Sequence, residues 1–274
     1  MQNYIKISAL LLAIALTSCE DQITVPLQTA QERLVVEASL DWEKGTMGNV
    51  QTIRLSKSTP FFDTTTNTAV TGASVKVTNA ASGAEFIFTD QNNGEYRATD
   101  FMPVIGQPYT LEIIHEGETY TATETLNAVP DINRLTETKE EGESEDYPEV
   151  HVFFDDPPEE GNHYLFKFHQ SIDQIPSLEE FDDEFVNGNE IDWWYEIEEE
   201  ETTQAIVLDI ELYATSEVYN DYLRILVNQS GGVGIFDSTP VALKGNCINL
   251  TNPDNYAHGF FRVTQFVKTS YTFQ

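Results

Sequence analysis

Apolar residues recur two positions apart along most of this chain. Val75/Val77, Phe86/Phe88 and Leu111/Ile113 each set one side of a strand, because successive side chains of an extended backbone point to opposite faces. On this period the segments Leu34–Leu40, Val50–Ser58, Ala73–Asn79, Ala84–Asp90, Gly94–Thr99, Tyr109–Gly117 and Glu118–Leu126 are predicted as strands. The intervening turns agree: Asn79 to Gly83, Asn92-Asn93-Gly94 and His115-Glu116-Gly117-Glu118 each place Gly where a tight antiparallel connection needs a left-handed backbone. Seven short strands at these intervals predict an immunoglobulin-like or fibronectin-like β-sandwich over residues 32–132.

Residues 133–274 continue in the same idiom and predict a second β-rich domain. The acidic stretch Glu137–Pro148 reads as a solvated linker or a long hairpin tip, after which strands are expected at Val150–Asp156, His163–Ser171, Ile191–Glu199, Gln204–Ala214, Val233–Asp237 and Phe260–Phe273. One segment breaks the period. Ser216 is a candidate N-cap, Glu217 suits the first turn, and Val218, Tyr222, Ile225 and Leu226 form a stripe at helical spacing before Gly231-Gly232, which predicts one amphipathic helix over about residues 216–229. The chain is therefore expected to be all-β apart from that helix.

The N-terminus departs from both patterns. Lys6 precedes an apolar run, Ala9 to Leu16, followed by Thr17-Ser18-Cys19. A basic start, an apolar core of about 7 to 15 residues and small residues before a break make a secretory signal over residues 1–18. Leu16-Thr17-Ser18-Cys19 resembles the bacterial lipobox, which implies lipidation of Cys19 and a tether over residues 19–31. Acyl chains contribute about 0.8 kcal/mol per buried methylene, so more than one chain anchors a protein durably without a spanning segment. Glu20 and Asp21 directly follow that Cys and resemble the surface-export signal of Bacteroidetes lipoproteins. The expected location is the outer membrane facing the cell exterior, with the periplasmic face as the runner-up.

Charge narrows the function classes. There are 46 acidic against 14 basic residues, a formal net charge of -32, and nucleic-acid binding needs the opposite sign. The acids cluster in Glu137–Glu160, Glu179–Glu184 and Glu196–Glu201. Such runs read first as solvated faces, with structural calcium as the sharper alternative, although the ordered spacing of a calcium-binding loop is missing. Cys247 stands alone once Cys19 is lipidated, and a buried, inert thiol is expected of it. His163 and His169, six apart on one strand, are separated by about 20 Å and cannot share a zinc ion. The sequence contains no nucleophile elbow, metalloprotease helix or P-loop, and the protein is expected not to be an enzyme.

Two features suggest contacts instead. In the run Trp193-Trp194-Tyr195 alternate faces put one Trp in the core and leave the other partly exposed; an exposed aromatic can stack on a sugar or anchor a partner. Asp63-Thr64-Thr65 and Asp237-Ser238-Thr239 resemble the short O-glycosylation pattern of exported Bacteroidetes proteins, with Thr64 and Ser238 as acceptors.

In order and spacing, VVEASL from Val35, QTIRLSKSTPFF from Gln51, VTGASVKVTN from Val70, GEYRA from Gly94, GQPYTLEIIHEGETYTATETL from Gly106, VPDINRL from Val129 and IFDSTPVALKGNCINLTNPDNYAHGFFRVTQF from Ile235 resemble one family. It comprises the Bacteroidetes outer-membrane lipoproteins called domain of unknown function 4249. Ala38 stands where that pattern often has Gly, and Cys247 lies within its asparagine-rich late motif. The resemblance implies an accessory protein beside a TonB-dependent outer-membrane barrel, acting as a binding or assembly subunit in nutrient uptake, with no catalytic residues to carry over. The alternative is an independent surface glycan-binding protein or adhesin. If Cys19 is the anchor, Cys19→Ser will move the protein from the membrane pellet to the soluble fraction in a fractionation blot; an unchanged pellet would show that something other than lipid holds it.

Overall fold

In the computed structural model, residues 31–60, 63, 65–138, 147–197, 206–230 and 243–273 are described. The first seven strands follow the expected order: β1 (Leu34–Glu43), β2 (Gln51–Lys57), β3 (Ser74–Asn79), β4 (Glu85–Asp90), β5 (Glu95–Ala98), β6 (Pro108–His115) and β7 (Glu118–Thr125). Eight strands and a helix come after them: β8 (Ile132–Thr138), β9 (Glu149–Asp155), β10 (His163–Gln170), β11 (Ser177–Asp182), β12 (Glu190–Glu196), β13 (Val207–Thr215), α1 (Glu217–Ser230), β14 (Ile248–Asn249) and β15 (His258–Thr272). The expected strand Val233–Asp237 lies outside the described residues.

Twelve strands form one sheet in the order β11-β10-β13-β15-β1-β2-β5-β4-β3-β6-β7-β14, and β12-β9-β8 form a second sheet. The large sheet curls like half a barrel, so that β7, near its far edge, comes back against β15. The concave side of this curl holds a first core in which Val36, Leu40, Ile53, Val77, Tyr96, Leu111 and Phe261 are buried. A second core lies between the three-stranded sheet and β10-β13-β15, around Val152, Phe154, Phe166, Phe168, Leu208 and Ile210. On the opposite face of β10-β13-β15 the helix covers a third, smaller cluster of Leu165, Tyr213, Tyr219, Leu223 and Phe260.

β15 belongs to all three clusters. Its first part pairs in parallel with β1, from Val35↔His258 to Glu43↔Phe266, and its second part pairs antiparallel with β13, from Ala214↔Gln265 to Val207↔Thr272. Phe261 and Val263 therefore enter the first core, Val267 and Tyr271 pack on the second, and Phe260 and Phe266 lie under the helix. Residues 32–132 and 133–274 are thus joined by strand hydrogen bonds, and the boundary expected between them falls inside β8.

Three strands were hidden from the sequence pattern: the two-residue β14, β8 and β11. In β8 the pairing slips between Ile132 and Arg134, so its inward residues Ile132 and Leu135 stand three apart, the spacing a bulge produces. In β11, Leu178 packs under the helix while Phe181 packs on the second core, so both faces are apolar and no alternation survives. β8 and β9 pair antiparallel as far as Thr138↔Glu149, and residues 139–146 of the acidic stretch between them lie outside the described residues.

The helix is where expected, but its buried face is not the stripe read from Val218, Tyr222, Ile225 and Leu226. Tyr219 and Leu223 are buried, whereas Val218, Ile225 and Leu226 are exposed. The rotation is set by polar contacts at its start. Ser216 caps the helix through a Tyr219 N–H to Oγ bond of 3.2 Å. Buried Asn220 accepts from the Thr215 hydroxyl (2.6 Å) and donates to the carbonyls of Tyr164 and Phe181 (3.2 and 3.1 Å).

Under the helix Arg262 is bound by Asp41. Arg262 Nη2 lies 2.8 Å from Asp41 Oδ2, Thr264 Oγ1 donates to Asp41 Oδ1 at 2.6 Å, and Arg262 Nη1 donates to the Tyr219 hydroxyl at 2.5 Å. Burial acts against the guanidinium charge, but the Asp41 carboxylate outweighs it and holds the Arg262 pKa above the usual range. Removing one member of a buried pair leaves the other charge unmatched, at a cost of about 3 to 5 kcal/mol. Asp41→Ala should accordingly lower unfolding stability by roughly 3 kcal/mol in urea titration; a change below about 1 kcal/mol would mean that the pair contributes no more than a surface ion pair does.

Candidate functional site

At the end of the first core where β1 and β5 finish, two loops come together. The β1–β2 connection turns at Gly45 and Gly48, both in the left-handed region at φ +87° and +61°. At Gly48 a side chain would run into the Trp42 ring and Pro103. Trp42 Nε1 donates to the Thr46 carbonyl (2.9 Å), and Gln51 Nε2 donates to the carbonyls of Asp41 (3.1 Å) and Gly48 (3.0 Å). The β5–β6 connection lies alongside, joined by Asn49 Nδ2 to Thr99 O (2.8 Å) and by Phe101 N to Asn49 O (3.1 Å).

Tyr109 clamps this second loop from within. Its ring is fully buried, its hydroxyl accepts the Val104 N–H at 2.8 Å, and it donates to the Met102 carbonyl at 2.7 Å. What the fixed loops present is apolar: Met47, Val50, Met102, Val104 and Ile105 are 40 to 78% exposed. Scattered surface apolar residues are ordinary, whereas several on adjoining loops make a candidate contact surface. The sequence held one signal for it. Apart from Met1, Met47 and Met102 are the protein's only methionines, and this flexible, polarizable side chain is over-used at adaptable binding surfaces.

The aromatic run on β12 divides between two faces. Trp193 stacks on Phe181 at 4.3 Å between ring centroids and donates to Glu179 Oε2 at 2.7 Å, while Tyr195 stacks on Phe168 at 4.4 Å. Burial raises the Glu179 carboxyl above its ordinary pKa, an effect that the Trp193 hydrogen bond partly offsets. Trp194 points the other way, 38% exposed and opposite His151 in the strand register. There His151 Nδ1 lies 2.8 Å from Asp192 Oδ1 and Nε2 lies 3.4 Å from Glu149 Oε2, and the Arg134 guanidinium sits 3.7 Å above the Phe153 ring.

Other chemistry-bearing residues serve the fold. In the asparagine-rich late motif, Asn249 and Asn255 donate to the Glu118 carboxylate at 3.0 and 2.6 Å beside the Tyr120 hydroxyl at 2.7 Å. That Tyr120 bond leads in holding the Glu118 pKa below the ordinary carboxylate value. The Asn246 side chain imitates a strand, donating to Phe261 O at 2.7 Å and accepting Phe261 N–H at 2.8 Å. Cys247 is buried, and burial pushes its thiol pKa up to about 12. The acidic residues Glu160, Asp182, Glu184 and Glu217 line a cleft of about 530 Å³ with His163. Among the described residues no group of three or more His, Cys, Asp or Glu side chains could hold a metal ion, and no helix is long and apolar enough to cross a membrane. Cys19, Glu20, Asp21, Thr64 and Ser238 lie outside the described residues; Asp63 accepts from the Thr66 hydroxyl at 2.6 Å in an exposed turn.

Residues 20–270 match the model of a family described as Domain of unknown function (DUF4249). No curated protein matches the chain. Among solved structures it is similar to a DUF4785 family protein from Legionella pneumophila, with 10% identity over 66% of this chain and a TM-score of 0.28; the match spans about half of that protein, 52%. It is also similar to a segment of two fibronectin type-III domains from chicken tenascin, with 8% identity over 69% of this chain and 89% of that chain and a TM-score of 0.22.

Tyr109→Phe keeps the buried ring and removes both loop bonds. The expected cost is about 1 to 2 kcal/mol, with faster hydrogen exchange at the Val104 amide and unchanged exchange in β1; unaltered exchange at Val104 would show that the loop is held by other means.

Proposed function

The chain belongs to the DUF4249 family, and on that premise we propose that it is a non-enzymatic surface lipoprotein that binds or assembles with a TonB-dependent outer-membrane barrel through its apolar tip. The observation that carries this reading is the pair of loops carrying Met47, Val50, Met102, Val104 and Ile105, fixed by Tyr109 and by Asn49. Loops already held in place lose little conformational freedom on docking, so more of the apolar burial appears as affinity. On this reading the first half is an immunoglobulin-like sandwich whose loops at one end make the contact, a common use of the architecture.

β1 carries the chain from Leu34 to Glu43, about 33 Å at the rise of a strand, and the tip adjoins its far end. With a net charge of -32, the partner's rim should be neutral or basic, since like charges across an interface slow encounter and weaken it. A second reading rests on Trp194, whose exposed ring beside Asp192 could stack on a sugar.

Replacing Met47, Met102 and Ile105 together by Ser should leave stability within about 1 kcal/mol, as exposed substitutions do. Affinity purification of this variant from its own outer membrane should then lose the barrel that the parent protein retains in constant ratio. Retention of the barrel would remove the tip from the interface. A parent protein that has no barrel companion but binds a glycan array in a way Trp194→Ala abolishes would replace the first reading with the second.

A further inference from the structure

The lane that β1 occupies beside β15 continues past the end of β1. β1 pairs with β15 only as far as Glu43↔Phe266, and Lys44 N then donates to Phe266 O at 2.8 Å before the chain turns away at Gly45. Beyond this point Val267–Thr272 pair with β13 on one side, and among the described residues no strand pairs with the other side. The direction of each backbone group follows from the ladder. Phe273 N donates to Ile206 O at 3.0 Å, and the groups of an antiparallel strand alternate sides residue by residue. Val267, Thr269 and Tyr271 therefore bond to β13. Lys268, Ser270 and Thr272 direct their N–H and C=O groups to the side on which Phe266 O meets Lys44, a lane that no strand among the described residues occupies.

Across the lane stands a second strand edge. β8 pairs with β9 on one side, and among the described residues its other side has no strand partner. Between β8 and β15 runs a cleft of about 460 Å³ floored by Ile132, Leu135 and Val267. These three residues and Tyr271 pack only partly buried against the second core. Asp131, in the lining of the cleft, pairs with Lys44 (2.7 Å), and further along the two strands the Tyr271 hydroxyl donates to Glu137 Oε2 (2.8 Å). Unpaired backbone donors and acceptors in a row, over apolar residues, are complementary to one kind of ligand, an extended polypeptide.

We propose that the lane between β15 and β8 accepts an extended segment of a partner protein as an added strand, with alternate apolar side chains over Ile132, Leu135 and Val267. The lane fits about six residues, roughly 20 Å of strand. The segment should carry neutral or basic flanks, because the host is strongly acidic. This site begins beside the β1–β2 loop but uses none of the exposed apolar residues of the tip, and it does not depend on the identity of the partner proposed for that tip.

The test uses the full-length chain in detergent and a set of acetylated, amidated eight-residue peptides that alternate Val, Ile or Phe with Thr and end in two lysines. Binding is read by fluorescence anisotropy and by hydrogen exchange. The expected result is saturable binding with exchange slowed about tenfold or more at the amides of Lys268, Ser270 and Thr272. Ser270→Pro removes an N–H that faces the lane and leaves the β13 ladder intact, a placement proline tolerates on strand edges. That variant should keep its Tm and bind at least about tenfold more weakly, equivalent to about 1.4 kcal/mol. Peptides carrying N-methyl groups on the bonding edge should fail equally. The proposal is overturned if no peptide in the set binds at millimolar concentration, if protection maps away from Lys268–Thr272, or if sedimentation shows that two copies of the chain pair through this edge and Ser270→Pro dissociates them.

Discussion

Everything in the described structure hangs on the close approach of β15 to β1. Gly259 is the residue that permits it: at φ +83° it lies against the Val36 carbonyl so tightly that a side chain would overlap that group. Gly245 packs on Gly259 from the other direction, again with no space for a Cβ. Because both glycines are bare, the strand can be flanked by β1 on one side, met by the Asn246 segment, and still deliver Phe261 and Val263 into the first core. Further along, the same strand carries Arg262 to Asp41 and Tyr271 to the second core. One strand near the C-terminus thus joins apolar clusters built from the whole length of the chain.

Polar side chains do much of the joining. Asn246, Asn220 and Gln265 each satisfy backbone groups that no strand or helix reaches: Phe261, the carbonyls of Tyr164 and Phe181, and the Val129 N–H at 3.1 Å. Buried backbone groups left unpaired are costly, so these amides fix where irregular segments run. The asparagine-rich motif has the same structural role: its residues converge on Glu118 and Phe261 to build the junction.

The first seven strands were legible because each has one apolar and one polar side and its turns carry glycine at left-handed positions, as at Gly83, Gly94 and Gly117. β8 and β11 were not, one because a bulge shifts Ile132 against Leu135 and the other because Leu178 and Phe181 serve opposite faces. The position of the helix was legible from Ser216 and Glu217, whereas its rotation depended on Asn220 and Arg262, which are contacts across long sequence separations. The aromatic run could be read as far as its alternation: Trp193 and Tyr195 pack inward and Trp194 does not. The loop tip left only the trace of Met47 and Met102 in the sequence, because its apolar residues gain meaning only when Asn49 and Tyr109 bring two loops together.

The parallel pairing of β1 with β15 also has a mechanical side. A pull on the segment preceding Leu34 acts along the axis of β1, and the nine register pairs from Val35↔His258 to Glu43↔Phe266 lie at right angles to that force. Such a ladder is loaded in shear, all rungs at once, whereas a hairpin pulled from its open end unzips one rung at a time. β1 is therefore well placed to bear tension applied at its Leu34 end, and forced unfolding from that end would proceed through the slow rupture of its parallel ladder.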